Sequence, residues 1–354
     1  MKQRIARLQD VLRRQELEAV LITTPANLRY LSGFDGTNGA LLVDPERSYL
    51  LTDFRYLKQA EQQAPHCLIR RWVNDLPGSL APVITEAGLK RLGFEKKQVT
   101  FDLYQKLAAG LEAEMIPVEG LVENLRAVKD EGEIEVLRRG AACLDLAFSH
   151  ILGFIKPGLT EEEISLELEI FLRRMGAQSA SFRFIVASGE RGAMPHAVAS
   201  KKRLAQGELV TMDFGALFQS YATDMTRTVC LGKPEQKQKH VFAVVREALE
   251  RAAAALKPGM TGKEADAVAR GIIVEAGFGE YFGHGLGHGL GLEAHEWPVL
   301  SPRAEMFLEA GMTLTVEPGI YISGWGGVRL EDMMLITATG AEAMTFSSHE
   351  LTII

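Results

Sequence analysis

The chain has 354 residues, too many for one ordinary hydrophobic core and about right for two domains. Hydrophobic residues make up 47% and charged residues 24%, so a core can form without a disulfide or structural-metal staple. A net charge of −7, with no basic run longer than Lys201–Arg203, argues against a nucleic-acid partner. Cys67, Cys143 and Cys230 are far apart and odd in number, which suits free thiols in a reducing compartment. The N-terminus lacks the apolar core of a signal peptide, and no stretch approaches the roughly 18 apolar residues of a membrane span. A cytoplasmic protein is expected.

Residues 1–22 read as an amphipathic helix running into a short buried strand, AVLIT. NLRYLSGF, GALLVDP and SYLLTDFRY carry apolar runs broken by Gly, Asp and Pro, which suits strands and turns. HCLIRRWV, the helical text LAPVITEAG, and RLGFE continue the alternation, so residues 1–122 read as a small α/β domain. Asp130 followed by Glu133 is a capping-box pattern opening a long helix, and residues 123–354 read as a second domain.

That second part repeats itself. The segment from Phe154 aligns with the segment from Ala255: Lys156, Pro157, Gly158, Thr160, Glu163 and Gly176 match Lys257, Pro258, Gly259, Thr261, Glu264 and Gly277. Each copy reads as a Pro-Gly turn, a Thr cap with Glu three residues on, a helix and a Gly stop. The likeness continues into strands, where Asp213 in LVTMDFG stands opposite Glu317 in LTVEPG. Each precedes a returning strand with a second acid, Asp224 and Glu331. Two halves related by a pseudo-twofold thus each offer a pair of acids.

Four acids facing one another inside a sheet repel and resist burial. Two divalent ions would resolve this, with carboxylates bridging them. The segment GHGLGHGLGLEAHE adds His284, His288 and His295. Its spacing is not G-x-G-x-x-G, and glycine at every second place is poor helix, so a phosphate loop and a helical zinc motif both fail. An extended segment would put His284 and His288 on one face and bare backbone on the other. One imidazole would complete an oxygen-rich ligand set, leaving the others to bind substrate or move protons.

Asp213, Asp224, His288 in GHGLGH, Glu317 in VEPGIY and Glu331 in VRLED closely resemble the pita-bread metallopeptidases. That family includes methionine aminopeptidase, Xaa-Pro aminopeptidase and prolidase. NLRYLSGF and TDFRY also resemble the N-terminal domain of the proline-specific members and creatinase. The resemblance implies an α/β (α+β) fold, a creatinase-like domain followed by a pita-bread domain. It implies that Asp213, Asp224, His288, Glu317 and Glu331 bind two divalent ions. Oxygen-rich ligation suits Mn2+ or Co2+, with Zn2+ and Fe2+ as alternatives. His196, His284, His295, Tyr321 and Arg329 match further active-site positions, and Glu317 doubles as the proton shuttle. The implied activity is Xaa-Pro dipeptidase or Xaa-Pro aminopeptidase, through a metal-bound hydroxide, on peptides with proline second. A homodimer or higher homo-oligomer is implied, with neither nucleic acid nor membrane as partner. The alternatives are a general or methionine-type aminopeptidase and a non-catalytic peptide-binding relative.

Overall fold

The computed structural model describes Met1–Ile354, which divide into two compact units, Met1–Arg126 and Ala127–Ile354. The first unit is built on a six-stranded mixed sheet. Its strands run in the order Leu68–Arg71, Ser48–Thr52, Gly39–Val43, Ala19–Ile22, Arg91–Glu95 and Glu114–Val118. The central strand Ala19–Ile22 is buried throughout, which explains its unbroken apolar text. Ahead of it, the helix Lys2–Arg14 buries Ile5, Leu8 and Leu12, spaced three and four apart on one face. Burial of each such leucine stabilises the unit by roughly 2 kcal/mol.

One sequence expectation is corrected here. NLRYLSGF is not strand and turn; it lies in the helix Pro25–Ser32 and its stop. Pro25 occupies the first turn, where its missing N–H costs nothing, and Gly33 ends the helix in the left-handed region at φ 78°. A short apolar run does not distinguish strand from buried helix, so these two punctuating residues decide the outcome.

In the second unit the helix Glu131–Phe154 opens on the reciprocal Asp130–Glu133 capping box. The repeat is present in the fold. Helices Glu161–Arg174 and Gly262–Glu275 both start with Thr–Glu capping boxes, at Thr160–Glu163 and Thr261–Glu264. Gly176 (φ 99°) and Gly277 (φ 82°) lie just past their ends. Each half contributes an antiparallel sheet. One has the order Met225–Cys230, Leu209–Phe214, Ile185–Ser188. The other has the order Glu296–Leu300, Gly287–Gly289, Thr313–Val316, Asp332–Ile336, Ala341–Ala343. The sheets meet where Glu331 N–H donates to Thr226 O at 3.0 Å and the Thr228 hydroxyl donates to Arg329 O at 2.8 Å. The acid pairs of both halves sit along this seam. No helix of the protein is long and apolar enough to cross a membrane.

Candidate metal centre and active site

The glycines of GHGLGHG answer to backbone. A Cβ on Gly285 would lie 2.6 Å from Leu300 O, one on Gly287 2.0 Å from Thr315 O, and one on Gly289 2.2 Å from Trp297 O. Neighbouring chain presses on the segment, and no side chain fits between. Only Gly287–Gly289 pairs as strand, with a register shift at His288/Gly289, so the long extended run expected from alternation is not formed. What holds the preceding stretch is the helix Gly262–Glu275. Its Arg270 donates to Phe282 O and His284 O, while Asp266 accepts from Leu286 N–H.

His288 is thereby aimed at the acids. Its Nε2 lies 3.4 Å from Glu317 Oε1 and 3.9 Å from Asp224 Oδ2. Its Nδ1 faces Gly289 O at 3.0 Å and must donate, which leaves the Nε2 lone pair free for a cation. Burial lowers this imidazole's pKa to about 4, so it is neutral at ordinary pH. Ligand atoms of Asp224, His288 and Glu331 all lie within 4.8 Å of one another.

The carboxylates are uncompensated as they stand. Asp213 Oδ1, Asp224 Oδ1 and Glu331 Oε1 are buried without a hydrogen-bond partner. Burial, reinforced by repulsion from neighbouring acids, pushes Asp224 and Glu331 well above the usual carboxylate range. Burial also raises Glu317 to about 8; Arg329 opposes the rise and Asp213 adds to it. Orphaned carboxyl oxygens converging on one neutral imidazole nitrogen are the donor set of a divalent cation, whose charge would ionise them, and the residues fit one.

A second network faces the same centre. Arg329 is buried and lies 2.5 Å from Asp213 Oδ2. It also donates to Tyr321 Oη at 2.9 Å, to Thr226 Oγ1 at 3.2 Å and to Pro195 O at 3.2 Å. Burial works against its charge, yet Tyr321, Asp213 and Glu317 together hold it firmly protonated. Tyr321, pushed up to about 12 chiefly by burial, keeps its proton and donates to His284 Nε2 at 2.9 Å. His284 Nδ1 in turn donates to Gly285 O at 2.7 Å, and burial lowers this ring to about 4. Gly319 makes room for the phenol: a Cβ there would sit 2.3 Å from Tyr321 Oη. The His295 ring stacks near His288 with centroids 4.0 Å apart, and burial lowers its pKa as well.

These groups open on a cavity of about 440 Å³. Every site residue read from the sequence lines it, His196 included, except Tyr321, which is joined to it through His284 and Arg329. Sequence reasoning missed the residues that hold the acids. The Thr226 hydroxyl donates to Glu331 Oε2 at 2.6 Å, and the Thr315 hydroxyl to Glu317 Oε1 at 3.4 Å. Alternation does put Thr315, two residues before Glu317, on the acid's face, but gives no sign that it holds the acid. The apolar walls, Phe182, Ile185, Val198 and Val299, had no signal of their own.

Comparison with known proteins agrees with this arrangement. Residues 135–338 match metallopeptidase family M24, and residues 4–128 match the creatinase/prolidase N-terminal domain. The chain belongs to metallopeptidase family M24, and with it to the hydrolases that use divalent metal. It is 36% identical to the Xaa-Pro dipeptidase of Pyrococcus horikoshii, over 99% of each chain. Among solved structures it resembles an Xaa-Pro dipeptidase from Bacillus anthracis, with 45% identity, a TM-score of 0.98, and 100% of this chain and 99% of that one covered. It also resembles an X-Pro aminopeptidase from Thermotoga maritima, at 36% identity and a TM-score of 0.92, over 99% of each chain.

Proposed function

We propose that this protein is a cytoplasmic exopeptidase that cleaves the bond between an N-terminal residue and proline. The observation that carries the reading is the set of three buried, unpartnered carboxylate oxygens beside the His288 Nε2 lone pair. Asp213, Asp224, His288, Glu317 and Glu331 would hold two divalent ions, with Mn2+ or Co2+ suiting the oxygen-rich set. When bound, they would supply a water acidic enough to attack at neutral pH and would polarise the scissile carbonyl.

The chain's own groups do the rest. Glu317, ionised once a cation is held beside it, takes a proton and passes it to the departing proline nitrogen. His295, kept neutral by burial, steadies the carbonyl oxygen as charge develops on it, while His284, whose one N–H goes to Gly285 O and whose Nε2 accepts from Tyr321, forms a fixed wall of the cavity. Arg329 fixes Tyr321, and Tyr321 fixes His284, so the ring is oriented before substrate arrives. His196 lines the cavity and contacts the peptide. Proline presents a tertiary amide without an N–H, and the cavity's apolar residues accept the ring instead.

The catalytic machinery is carried by residues 123–354, and the first domain restricts substrate length and helps form at least a homodimer. A methionine-type aminopeptidase is not favoured, because the chain carries the creatinase/prolidase N-terminal domain over residues 4–128. The test is hydrolysis of Ala-Pro and Ala-Pro-Ala by protein stripped with chelator and then reconstituted with Mn2+ or Co2+. Release of alanine from at least one of them, dependent on metal, is expected; metal-loaded protein that cleaves neither contradicts the assignment.

A further inference from the structure

The charged groups of the cavity do not all cancel. Its wall carries the four acids, with which the ions and Arg329 are concerned, and one further cation, Arg183. Arg329 is fully engaged by Asp213, Tyr321, Thr226 and a backbone carbonyl. Arg183 is exposed and forms no hydrogen bond or ion pair. It precedes the strand Ile185–Ser188, whose Ile185 stands in register with Asp213. Two residues of chain, at most roughly 7 Å, therefore separate Arg183 from the level of the metal-binding acids. A guanidinium at that distance is beyond the reacting bond and within reach of the rest of a small substrate. The nearby lining, Phe182, Ile185 and Val198, is apolar and offers a substrate anion nothing else to pair with.

We propose that Arg183 is a specificity-determining residue that recognises a carboxylate of the substrate. The inference rests on the Xaa-Pro reading of this site and deepens it. A planar fork of N–H donors binds carboxylate in two-point fashion and disfavours a neutral or cationic group at the same place. A peptide can bring a carboxylate there in two ways: the free C-terminus of an Xaa-Pro dipeptide, or an Asp or Glu side chain on the residue before proline. The first makes the enzyme prefer dipeptides to longer chains; the second leaves chain length indifferent and selects the first residue.

The experiment compares kcat/KM of Mn2+-reconstituted full-length protein with that of the Arg183→Gln and Arg183→Lys variants. Ala-Pro against Ala-Pro-amide reads the terminal carboxylate, and Glu-Pro against Met-Pro reads the side chain. Arg183→Gln is expected to reduce one of these two preferences by about fivefold or more, the size of a partly exposed ionic contact. Arg183→Lys should retain part of it. Loss of the first preference assigns the terminus, and loss of the second assigns the side chain. Unchanged preferences overturn the proposal, as does an equal loss on all four peptides, which marks a structural effect. If metal-loaded wild-type protein cleaves none of them, the underlying Xaa-Pro reading fails first, before any variant is compared, and the proposal falls with it.

Discussion

Arg329 lies 2.5 Å from Asp213 Oδ2 while donating, at 3.2 Å, to the Thr226 hydroxyl that itself donates to Glu331. One guanidinium thus touches an acid of the first half directly and an acid of the second through one hydroxyl. Arg329→Lys keeps the charge and loses the fork that also reaches Tyr321. We expect kcat to fall by one to two orders of magnitude with metal content retained, since His284 loses its orienting chain. Steady-state kinetics beside elemental analysis decides. A variant that turns over normally removes Arg329 from the active network.

The three histidines of the glycine-rich segment should separate by phenotype. His288→Ala removes the Nε2 aimed at Asp224 and Glu317 and is expected to lose bound metal. His284→Ala and His295→Ala should keep metal and lose turnover, His295→Ala by roughly a hundredfold as the cost of one donor to a developing oxyanion, and His284→Ala through loss of the ring that Tyr321 orients. Asp213→Asn, which deletes a ligand charge, should lose metal and activity together. Metal counts that fall alike in all four variants contradict this division of labour.

Protons should leave as metal enters. In the metal-free protein Asp224, Glu317 and Glu331 titrate above their unfolded values, so the native state holds more protons than the unfolded chain across the interval between. Stability of the stripped protein therefore falls as pH rises from about 4.5 towards 8, the reverse of an acid stabilised as an anion. Ligation requires the anions, so binding expels protons and tightens with pH; His288, already neutral above about pH 5, expels none. Calorimetric titration near pH 6.5 in two buffers of different ionisation heat counts the protons. A count of zero, or a stripped protein whose Tm climbs over this range, contradicts the charge state argued above.

Gly287→Ala tests the reason for the glycine pattern. Its Cβ would meet Thr315 O at 2.0 Å, a backbone atom that cannot rotate away. A loss of roughly 1–3 kcal/mol is expected, with weakened metal binding because His288 is the next residue. Gly271→Ala is the control. It lies inside the helix Gly262–Glu275 with nothing within 4 Å of a new Cβ, and should stabilise by about 0.5–1 kcal/mol. Denaturant unfolding of both variants checks the contrast; equal effects would mean the close approach at Gly287 is not limiting.

How far such features could be read from the chain depended on whether they repeat or pack. Asp213 with Glu317 and Asp224 with Glu331 were legible because the two halves carry them at matching places, and the flanking motifs resemble a known family. The capping boxes at Asp130, Thr160 and Thr261 were legible because a cap is written within four residues. The Thr226–Glu331 contact was not: it joins residues more than a hundred positions apart across two sheets, and no local rule predicts it. Asp266 and Arg270 read as an ordinary i,i+4 ion pair on one helix, and nothing local shows that the pair also holds the following loop. NLRYLSGF was misjudged because its apolar density outweighed the quieter signals of Pro25 and Gly33.

The place where the two sheets meet has a consequence for the lifetime of the molecule. Each half closes its own hairpin and caps its own helix without help, whereas the ion site draws on both. Divalent ions held there would therefore act as rivets across the joint, and their removal would weaken the boundary between the halves. Such parting exposes buried chain to proteolysis, and ligands that bind only the closed form slow it in proportion to their occupancy. Resistance of the protein to proteolysis would then follow the supply of divalent metal, quite apart from how fast it cuts peptides.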